Sequence, residues 1–322
     1  MPTVAYFIKP DSPMAAISME YAPAGWDIRL IDAATAPEEE QIAAARDADA
    51  LIVFGARPGE PVLRAATRAR LYQLGSAGYD GVNLALTGEL GIPVATASGT
   101  NAQGVAEQFI ALTLALYRHL PWVDETTRAG QWRPARADGL QTFEIMGKTV
   151  GIVGAGNIGS TVMRLLQGFD VTLLYNDIVR KPELEEQFGA RRVSLDELVS
   201  EADIVTVHVP LLRSTRRLIG AAEMALMKPS AILINTSRGG TIDEAALVDA
   251  LRGRRIWGAG LDVFEQEPAA RDNPLFALDN VVVSPHVAGP TAESFPRRAR
   301  FAFENIRRAL DGREPENIVT AE

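Results

Sequence analysis

The stretch Thr149–Gly159, TVGIVGAGNIG, constrains the fold of this chain more strongly than any other feature. An apolar run leads into Gly154, Gly156 and Gly159, and a helix-compatible segment, STVMRLLQGF, follows. In such a strand–turn–helix unit the first glycine allows a tight bend, the second lets the backbone approach a pyrophosphate, and the third lets helix and strand pack closely. The helix N-terminus adds free N–H groups and a positive dipole end. The pattern predicts a dinucleotide site, with a purely structural glycine turn as the alternative.

An acidic residue follows the glycine turn at the distance that a dinucleotide site requires. The apolar run Val171–Tyr175 leads to Asp177, which lies 18 residues beyond the last glycine (177 − 159 = 18). A carboxylate there would accept hydrogen bonds from the adenosine ribose of NAD and repel the 2′-phosphate of NADP. Arg180 and Lys181 follow closely and would soften that repulsion. We expect NAD as the cofactor, with NADP less favoured.

The composition limits the number of domains and the classes of partner. With 322 residues, 47% of them hydrophobic, the chain is long enough for two domains with sizeable cores. The formal net charge of −9 argues against nucleic acid and anionic membranes, which bind proteins through lysine and arginine. There is no cysteine, so disulfides and thiolate chemistry are excluded, and no metal site is expected. No signal peptide is evident and the longest apolar run, Phe109–Tyr117, is too short for a bilayer, so we expect a cytoplasmic protein without a membrane partner.

Two successive series of apolar runs alternate with helix-like segments, which is typical of parallel sheets buried between helices. The first series comprises Val4–Ile8, Ile28–Ile31, Ala50–Phe54, Leu71–Leu74 and Ile92–Ala95. The second comprises Thr149–Val153, Val171–Tyr175, Ile204–Val209, Ala231–Asn235, Gly258–Asp262 and Val281–Ser284. Because the glycine turn follows the first strand of the second series, that series predicts a Rossmann domain.

Three segments predict helices that organise these series. Thr35-Ala-Pro-Glu38 has the residues of a helix start, with a capping threonine, an early proline and a reciprocating glutamate. Gly104–Tyr117 is the most helix-like stretch between the two series and is predicted to join them. Pro296–Leu310 has apolar residues at near-helical spacing and is predicted to close the fold.

The chain has three histidines, two of which follow predicted strands. His119 lies at or after the joining helix, where a surface or capping position is the simplest interpretation. His208 ends the run DIVTVHVP, where it either bonds to backbone or lines the cofactor crevice. His286 follows the last strand in VVVSPHVAG, at the edge where open α/β sheets bind ligands, and histidine is the usual proton carrier near neutral pH.

Two further loops at the same predicted edge carry charged side chains. INTSRGG places Arg238 after one strand, and GLDVFEQEP places Asp262, Glu265 and Glu267 after another. An arginine, a carboxylate and a histidine converging there would bind an acid, orient an imidazole and move a proton. Taken singly, each has a structural alternative, a solvated loop arginine or a Glu-Pro turn.

The ordered motifs VGIVGAGNIG, ADIVTVHVPL, INTSRGGTIDEAALVDAL, GAGLDVFEQEP and SPHVAG resemble the D-isomer-specific 2-hydroxyacid dehydrogenases over residues 75–290. The resemblance implies two α/β domains, Rossmann-like and flavodoxin-like, with doubly wound parallel sheets and an active site in the cleft between them. Residues 99–287 would form an inserted NAD-binding domain, and residues 1–98 and 288–322 the substrate domain. It also implies a homodimer that pairs through Gly104–Arg136.

The same resemblance assigns roles to individual residues. Arg238 would bind the substrate carboxylate and polarise its keto oxygen, His286 would donate the proton, and Glu267 would pair with the imidazole. The backbone of Ser76, Ala77 and Gly78 would share the substrate carboxylate with Arg238. Thr236 and Asp262 would face the nicotinamide, and His208–Pro210 the adenosine and ribose side. The full set of expected cofactor contacts is Gly154, Gly156, Asn157, Ile158, Gly159, Asp177, His208, Val209, Pro210, Thr215, Thr236, Ser237 and Asp262.

We therefore expect an NAD-dependent oxidoreductase that transfers hydride between NAD(H) and a small 2-keto or D-2-hydroxy acid. Formate dehydrogenases of this superfamily carry a glutamine where Glu267 stands, and phosphite dehydrogenase a lysine where Ala77 stands, so formate and phosphite are disfavoured. The side chain of the acid stays open. The alternative is an NAD-sensing interaction protein of the corepressor type, which keeps the same catalytic residues. Turnover of glyoxylate, hydroxypyruvate or phenylpyruvate with NADH would distinguish the two.

Overall fold

Two sheets organise the chain, each with helices on both faces. The computed structural model describes residues 1–132 and 141–319. One unit comprises Met1–Asn101 and Pro290–Glu322, and the other comprises Ala102–Gly289. The second unit is therefore inserted into the first along the chain, at boundaries a few residues later than those predicted.

The first unit is a flavodoxin-like doubly wound sheet. Its strands are β1 (Thr3–Phe7), β2 (Asp27–Ile31), β3 (Ala50–Val53), β4 (Tyr72–Leu74), β5 (Val94–Ala95) and β13 (Ile318–Val319). Its helices are α1 (Pro13–Glu20), α2 (Glu38–Arg46), α3 (Glu60–Ala65), α4 (Leu84–Glu89) and α12 (Ser294–Leu310). The strand order is β2-β1-β3-β4-β5-β13, with every pair parallel except β13 against β5. Without the short last strand, this is the 2-1-3-4-5 order of flavodoxin-like sheets.

Continuous apolar strands form the first unit because both faces of its sheet are buried. In β3, Leu51 packs in a cluster with Val62 of α3, and Ile52 packs in the opposite cluster with Phe303 of α12. Successive side chains of a strand point to opposite faces, so a strand with both faces covered must be apolar throughout. The closing helix α12 thus completes the core of the first unit.

A buried asparagine also ties α12 to its sheet. Asn305 Nδ2 donates to Gln73 Oε1 over 2.7 Å, and the Glu316 N–H donates to Asn305 Oδ1 over 2.7 Å. Asn305 and Gln73 are both almost fully buried. These hydrogen bonds fix the helix to β4 and to the chain that leads into β13.

The second unit is a Rossmann sheet. Its strands are β6 (Thr149–Val153), β7 (Thr172–Asn176), β8 (Arg191–Arg192), β9 (Ile204–Val207), β10 (Ile232–Asn235), β11 (Gly258–Leu261) and β12 (Val281–Val283). Its helices are α5 (Ala102–Tyr117), α6 (Leu120–Arg128), α7 (Asn157–Leu166), α8 (Pro182–Phe188), α9 (Leu195–Glu201), α10 (Ala221–Leu226) and α11 (Glu244–Arg252). The parallel order β12-β11-β10-β9-β6-β7-β8 is the 3-2-1-4-5-6 Rossmann order with one added strand. The order reverses at β6, so ligands are expected beyond the carboxyl ends of β6 and its neighbours.

The predicted α/β class with doubly wound sheets is confirmed, and each predicted apolar run overlaps a strand. Two short strands, β8 and β13, were not predicted. The predicted cap at Thr35 is wrong: α2 begins at Glu38 with Pro37 as its N-cap and no capping side chain. The backbone carbonyl of Asp32 instead accepts the N–H groups of Thr35 and Ala36, so the chain turns before the helix starts. In the described part of the chain, no helix is long and apolar enough to cross a membrane.

Candidate active site

The glycine turn between β6 and α7 has the geometry that its sequence predicts. Gly154 has a φ of +95°, and a Cβ atom there would lie 2.8 Å from Val209 Cγ1. A Cβ atom on Gly159 would overlap the carbonyl oxygen of Gly154. Beside Gly156, the N-cap of α7, no atom lies within 4 Å of an added Cβ. Protein atoms therefore fill the space beside the first and third glycines. The space beside the middle glycine is free, and a pyrophosphate would approach the helix N-terminus there.

Two buried polar atoms at neighbouring strand ends have no hydrogen-bond partner among the described residues, namely His208 Nδ1 and Thr236 Oγ1. The register pairs Val207 with Asn235, so His208 and Thr236 are the next residues on adjacent strands. Burial lowers the pKa of His208 to about 3, which makes its imidazole neutral. Buried polar groups without partners are costly, and a polar ligand at this edge would satisfy them. Together with the open glycine turn, these residues fit a bound dinucleotide.

Asp177 lies beside the glycine turn, at the end of β7. Its carboxylate accepts the backbone N–H groups of Ala155 over 2.8 Å and Val179 over 2.9 Å. Arg180, which was expected to soften the repulsion of NADP, is instead engaged: its Nη2 lies 2.7 Å from Glu185 Oε2 and its Nε bonds the same carboxylate. These hydrogen bonds are the largest cause of a Glu185 pKa lowered to about 2. The cation nearest in sequence to Asp177 is therefore held by another carboxylate.

The loop that carries Arg238 is held by the side chain of Asn235. Asn235 Oδ1 accepts the Ser237 N–H over 3.0 Å and the Ser237 hydroxyl over 2.8 Å, while Asn235 Nδ2 donates to Arg238 O over 3.0 Å. A Cβ atom on Gly239 would overlap the backbone of Phe264, so this loop packs directly on the segment after β11. Arg238 is half-buried at the end of β10, in extended backbone.

The carboxylate of Asp262 anchors the loop that carries His286. Its Oδ1 accepts the Ser284 hydroxyl over 2.5 Å and the Val287 N–H over 3.0 Å, and its Oδ2 accepts the Ala288 N–H over 2.9 Å. The His286 N–H donates to the Asp262 carbonyl over 2.7 Å. His286 has a φ of +56°, a left-handed conformation that is unfavourable for a residue with a Cβ atom. The bonds on both sides of His286 hold it in that conformation.

The imidazole of His286 pairs with Glu267. His286 Nδ1 lies 2.7 Å from Glu267 Oε2, and Glu267 Oε1 accepts the Phe264 N–H over 3.0 Å. The two side chains remain 45% and 36% exposed, so the pair can be reached by a ligand. In the described part of the chain, His286 Nε2 has no hydrogen-bond partner. A carboxylate on Nδ1 orients the ring and leaves Nε2 available to move a proton.

In the first unit, the predicted substrate loop has unpaired backbone donors. Ser76 Oγ donates to Gly78 O over 2.7 Å, and the Ala97 N–H donates to Ser76 O over 2.9 Å. None of the N–H groups of Ser76, Ala77 and Gly78 donates a hydrogen bond within the described residues. Successive free N–H groups in a loop form a site for an anion such as a carboxylate.

Other residues singled out in the sequence have structural contacts. Thr215 Oγ1 bonds Pro210 O over 2.5 Å and accepts the Leu212 N–H over 2.8 Å, so its hydroxyl closes its own loop. Glu265 pairs with Arg217 over 3.1 Å. His119 Nε2 lies 3.0 Å from the carbonyl of Gln141, a structural contact outside the strand ends.

The sequence interpretation did not include three positioning residues. Asn235 and Ser284 were each predicted as the last residue of a strand and Gln108 as part of the joining helix, with no role in the site. Gln108 Nε2 donates to Ser284 Oγ over 3.0 Å, which connects α5 to the Asp262 carboxylate. A signal existed for Asn235, because an amide side chain in a buried apolar strand must find partners. Among the described residues, no group of three His, Cys, Asp or Glu side chains could hold a metal ion.

Substitutions at two glycines of the turn should distinguish a residue that packs against the protein from a residue that faces the ligand. Gly159→Ala forces a methyl group onto a backbone oxygen and should cost about 1–3 kcal/mol of stability or more. Gly156→Ala meets no protein atom, so it should cost less than about 1 kcal/mol. It should nevertheless raise the Kd for NADH about tenfold or more, the effect of roughly 1.4 kcal/mol of repulsion. Urea denaturation and NADH fluorescence titration measure the two quantities. Unchanged NADH binding in folded Gly156→Ala protein would contradict the assignment.

Comparison with known proteins agrees with this geometry. A family model described as D-isomer specific 2-hydroxyacid dehydrogenase, NAD binding domain, matches residues 110–288. A glyoxylate reductase of Aeropyrum pernix is 39% identical over 291 residues, which cover 89% of this chain and 87% of that protein. A glyoxylate/hydroxypyruvate reductase B of Yersinia pestis is 37% identical over 283 residues, which cover 88% and 87%.

Solved structures extend the similarity to nearly the whole chain. An NADPH-dependent glyoxylate/hydroxypyruvate reductase from Sinorhizobium meliloti superposes with a TM-score of 0.84 at 29% identity, covering 99% of this chain and 98% of that one. A D-lactate dehydrogenase from Lactobacillus jensenii, solved with NAD+, gives 0.81 at 26% identity, covering 99% and 100%. The glycine turn, the His286–Glu267 pair and these similarities lead to one conclusion: the chain belongs to the D-isomer specific 2-hydroxyacid dehydrogenase family, and residues 110–288 match its NAD-binding domain.

Proposed function

We propose that this chain is an NAD-dependent oxidoreductase that interconverts a small 2-keto acid and a D-2-hydroxy acid. The observation that carries the proposal is the His286–Glu267 pair, 2.7 Å apart, near the carboxyl end of a Rossmann sheet whose glycine turn is open. When bound, the nicotinamide cofactor supplies or accepts the hydride. The relatives named glyoxylate reductase and glyoxylate/hydroxypyruvate reductase support a keto acid of that size. No observation favours the corepressor alternative, and the cytoplasmic location stays a prediction.

His286 is proposed to donate the proton to the keto oxygen of the substrate. Reduction of the carbonyl places negative charge on that oxygen, and a protonated imidazole neutralises it as the charge develops. Glu267 fixes the orientation of the ring through Nδ1, so that Nε2 is the proton-donating atom. Asp262 is proposed to position His286, because its carboxylate receives the N–H groups of the two residues that follow the histidine. The predicted nicotinamide contact of Asp262 stays a prediction.

Arg238 is proposed to bind the substrate carboxylate and to polarise the keto oxygen. A guanidinium fork matches a planar carboxylate with two parallel hydrogen bonds, which a lysine cannot do. The Asn235 side chain holds the Arg238 carbonyl, so the loop is ordered before the substrate binds. The free N–H groups of Ser76, Ala77 and Gly78 are likewise proposed to bind a substrate carboxylate.

The proposed roles of His286, Glu267 and Arg238 predict a different kinetic effect for a substitution at each residue. His286→Ala should lower kcat by about 10²–10⁴-fold, because it removes the proton donor, while NADH binding survives. Glu267→Gln should lower kcat less than His286→Ala does, because the proton donor stays and only the carboxylate that orients its ring is lost. Arg238→Lys should raise KM for the keto acid and also lower kcat. Steady-state rates across pH and NADH titrations measure these effects.

A matched control comes from another histidine of the same unit. His119→Asn should keep kcat, since His119 contacts only the carbonyl of Gln141 and the ring of Trp257, and asparagine tolerates its left-handed backbone. If the three residues merely stabilise loops, their variants should melt earlier and yet turn over normally when folded. Near-normal turnover in folded His286→Ala protein would refute the proposal.

Preference for NAD over NADP is proposed to rest on Asp177. Asp177→Asn removes the negative charge but keeps one oxygen that accepts hydrogen bonds from the turn, whereas Asp177→Ala removes the charge and both oxygens. Each substitution should lower the preference for NADH over NADPH, measured as the ratio of the two kcat/KM values, by about tenfold. Arg180→Met should leave the ratio unchanged, because Glu185 already holds that guanidinium. Initial rates with both cofactors and titrations with 2′,5′-ADP measure the preference. Equal kcat/KM for NADPH and NADH in the unaltered protein would contradict it.

A homodimer is proposed from the surface of α5 and α6. Helix α6 has no buried residue, and Leu120 and Trp132 are 55% and 83% exposed. Such apolar exposure is typical of a surface that binds a partner. Residues 133–136 of the predicted pairing segment Gly104–Arg136 lie outside the described residues. Light scattering at micromolar concentration should give twice the chain mass, and Leu120→Glu should reduce it; a monomer throughout would exclude the dimer.

A further inference from the structure

An arginine on α12 is buried without a partner that balances its charge. Arg298 is 7% exposed, and its guanidinium carbon lies 5.8 Å from the ring centre of Phe54 and 5.9 Å from that of Phe295. Within residues 1–132 and 141–319, the side chain of Arg298 makes no hydrogen bond and no ion pair. Arginine is almost never fully buried unless it is paired, because removing an ion from water is costly. The two aromatic contacts offset only part of that cost.

The neighbouring cations show that this burial is specific to one position. Arg297 donates to the carbonyl of Thr100 over 3.0 Å, and Arg300 stacks on Tyr21 at 5.2 Å while exposed to solvent. Burial, with a smaller contribution from Arg297, lowers the pKa of Arg298 to about 10, so the side chain is still charged at neutral pH. A charged guanidinium with free donors in a largely buried position binds an anion more strongly than an exposed one does.

Phe54 connects Arg298 to the proposed substrate loop. Phe54 follows β3, at the carboxyl end of the first sheet, where doubly wound sheets bind ligands. A Cβ atom on Gly75 would lie against this ring, so the backbone that leads into Ser76 contacts Phe54. The same ring therefore lies against both Arg298 and the start of the loop with three free N–H groups. Two features that bind anions are adjacent within one unit.

We propose that Arg298 binds a second carboxylate, at the end of the substrate opposite the keto acid group. This inference rests on the proposed function and narrows its substrate class to dicarboxylic 2-keto and D-2-hydroxy acids. The loop Ser76–Gly78 would hold the carboxylate next to the reacting carbon, and Arg298 would pair with the distal one. A planar carboxylate fits the guanidinium fork, and its binding supplies the partner that the buried cation lacks.

Pairs of keto acids of equal length test the subsite. Oxaloacetate is compared with 2-oxobutyrate, and 2-oxoglutarate with 2-oxovalerate, so that only the distal carboxylate differs. The unaltered enzyme should favour at least one dicarboxylate over its partner by about 10- to 100-fold in kcat/KM, as expected for a charge-assisted hydrogen-bonded pair. Arg298→Met should reduce that ratio by about the same factor, and Arg298→Lys should keep part of it. Arg300→Met, which removes an exposed cation of the same helix from the ring of Tyr21, should keep the whole ratio.

Binding measurements separate this inference from the proposed function. In the presence of NADH, D-malate should raise the Tm of the unaltered protein more than D-2-hydroxybutyrate does, and Arg298→Met should abolish the difference. If D-malate binds selectively and no keto acid is reduced, the subsite stands and the proposed function fails. If keto acids are reduced with no preference for a distal carboxylate, the subsite is refuted and the function stands. If Arg298→Met lowers the Tm but leaves the ratio of kcat/KM between dicarboxylic and monocarboxylic keto acids unchanged, Arg298 only packs α12 and the subsite is refuted.

Discussion

The carboxylate of Asp262 is the interaction on which the arrangement of the site depends. It is fully buried, and a buried charge is tolerated only when donors surround it. Ser284, Val287 and Ala288 supply those donors, and each lies in the loop of His286. Satisfying one buried charge therefore fixes the backbone on both sides of the histidine. The unfavourable left-handed conformation of His286 is maintained because these hydrogen bonds hold the backbone on both sides of it.

The same principle recurs at the neighbouring strand ends. Asn235 organises the Arg238 loop, and Gly239 lets that loop rest directly on the segment whose Phe264 N–H holds Glu267. The three side chains proposed to act on the substrate thus depend on loops that are tied to one sheet and to each other. Such second contacts keep reacting groups in place before a ligand arrives, which is the main contribution of a protein to hydride transfer.

Sequence predicted what depends on pattern and missed what depends on long-range contact. Continuous apolar runs gave the strands, and the glycine spacing gave the turn, because both reflect local requirements. Arg191–Arg192 forms a strand without any apolar residue, so only its pairing with β7 reveals it. Neither the anchoring role of Asp262 nor the burial of Arg298 has a local signal, since their environments come from residues distant in the chain. The ion pair between Arg180 and Glu185, which are five residues apart, could have been predicted from the spacing of the two charges, but it was not.

Isotope labelling of the transferred hydride tests the proposed reaction most directly. Hydroxypyruvate is incubated with NADH that carries deuterium at the transferable position of the nicotinamide, and the product is analysed by mass spectrometry and chiral chromatography. We expect D-glycerate with one deuterium on C2 from the unaltered protein, and almost none of it from His286→Ala. The L isomer, deuterium absent from C2, or equal product from both proteins would contradict it.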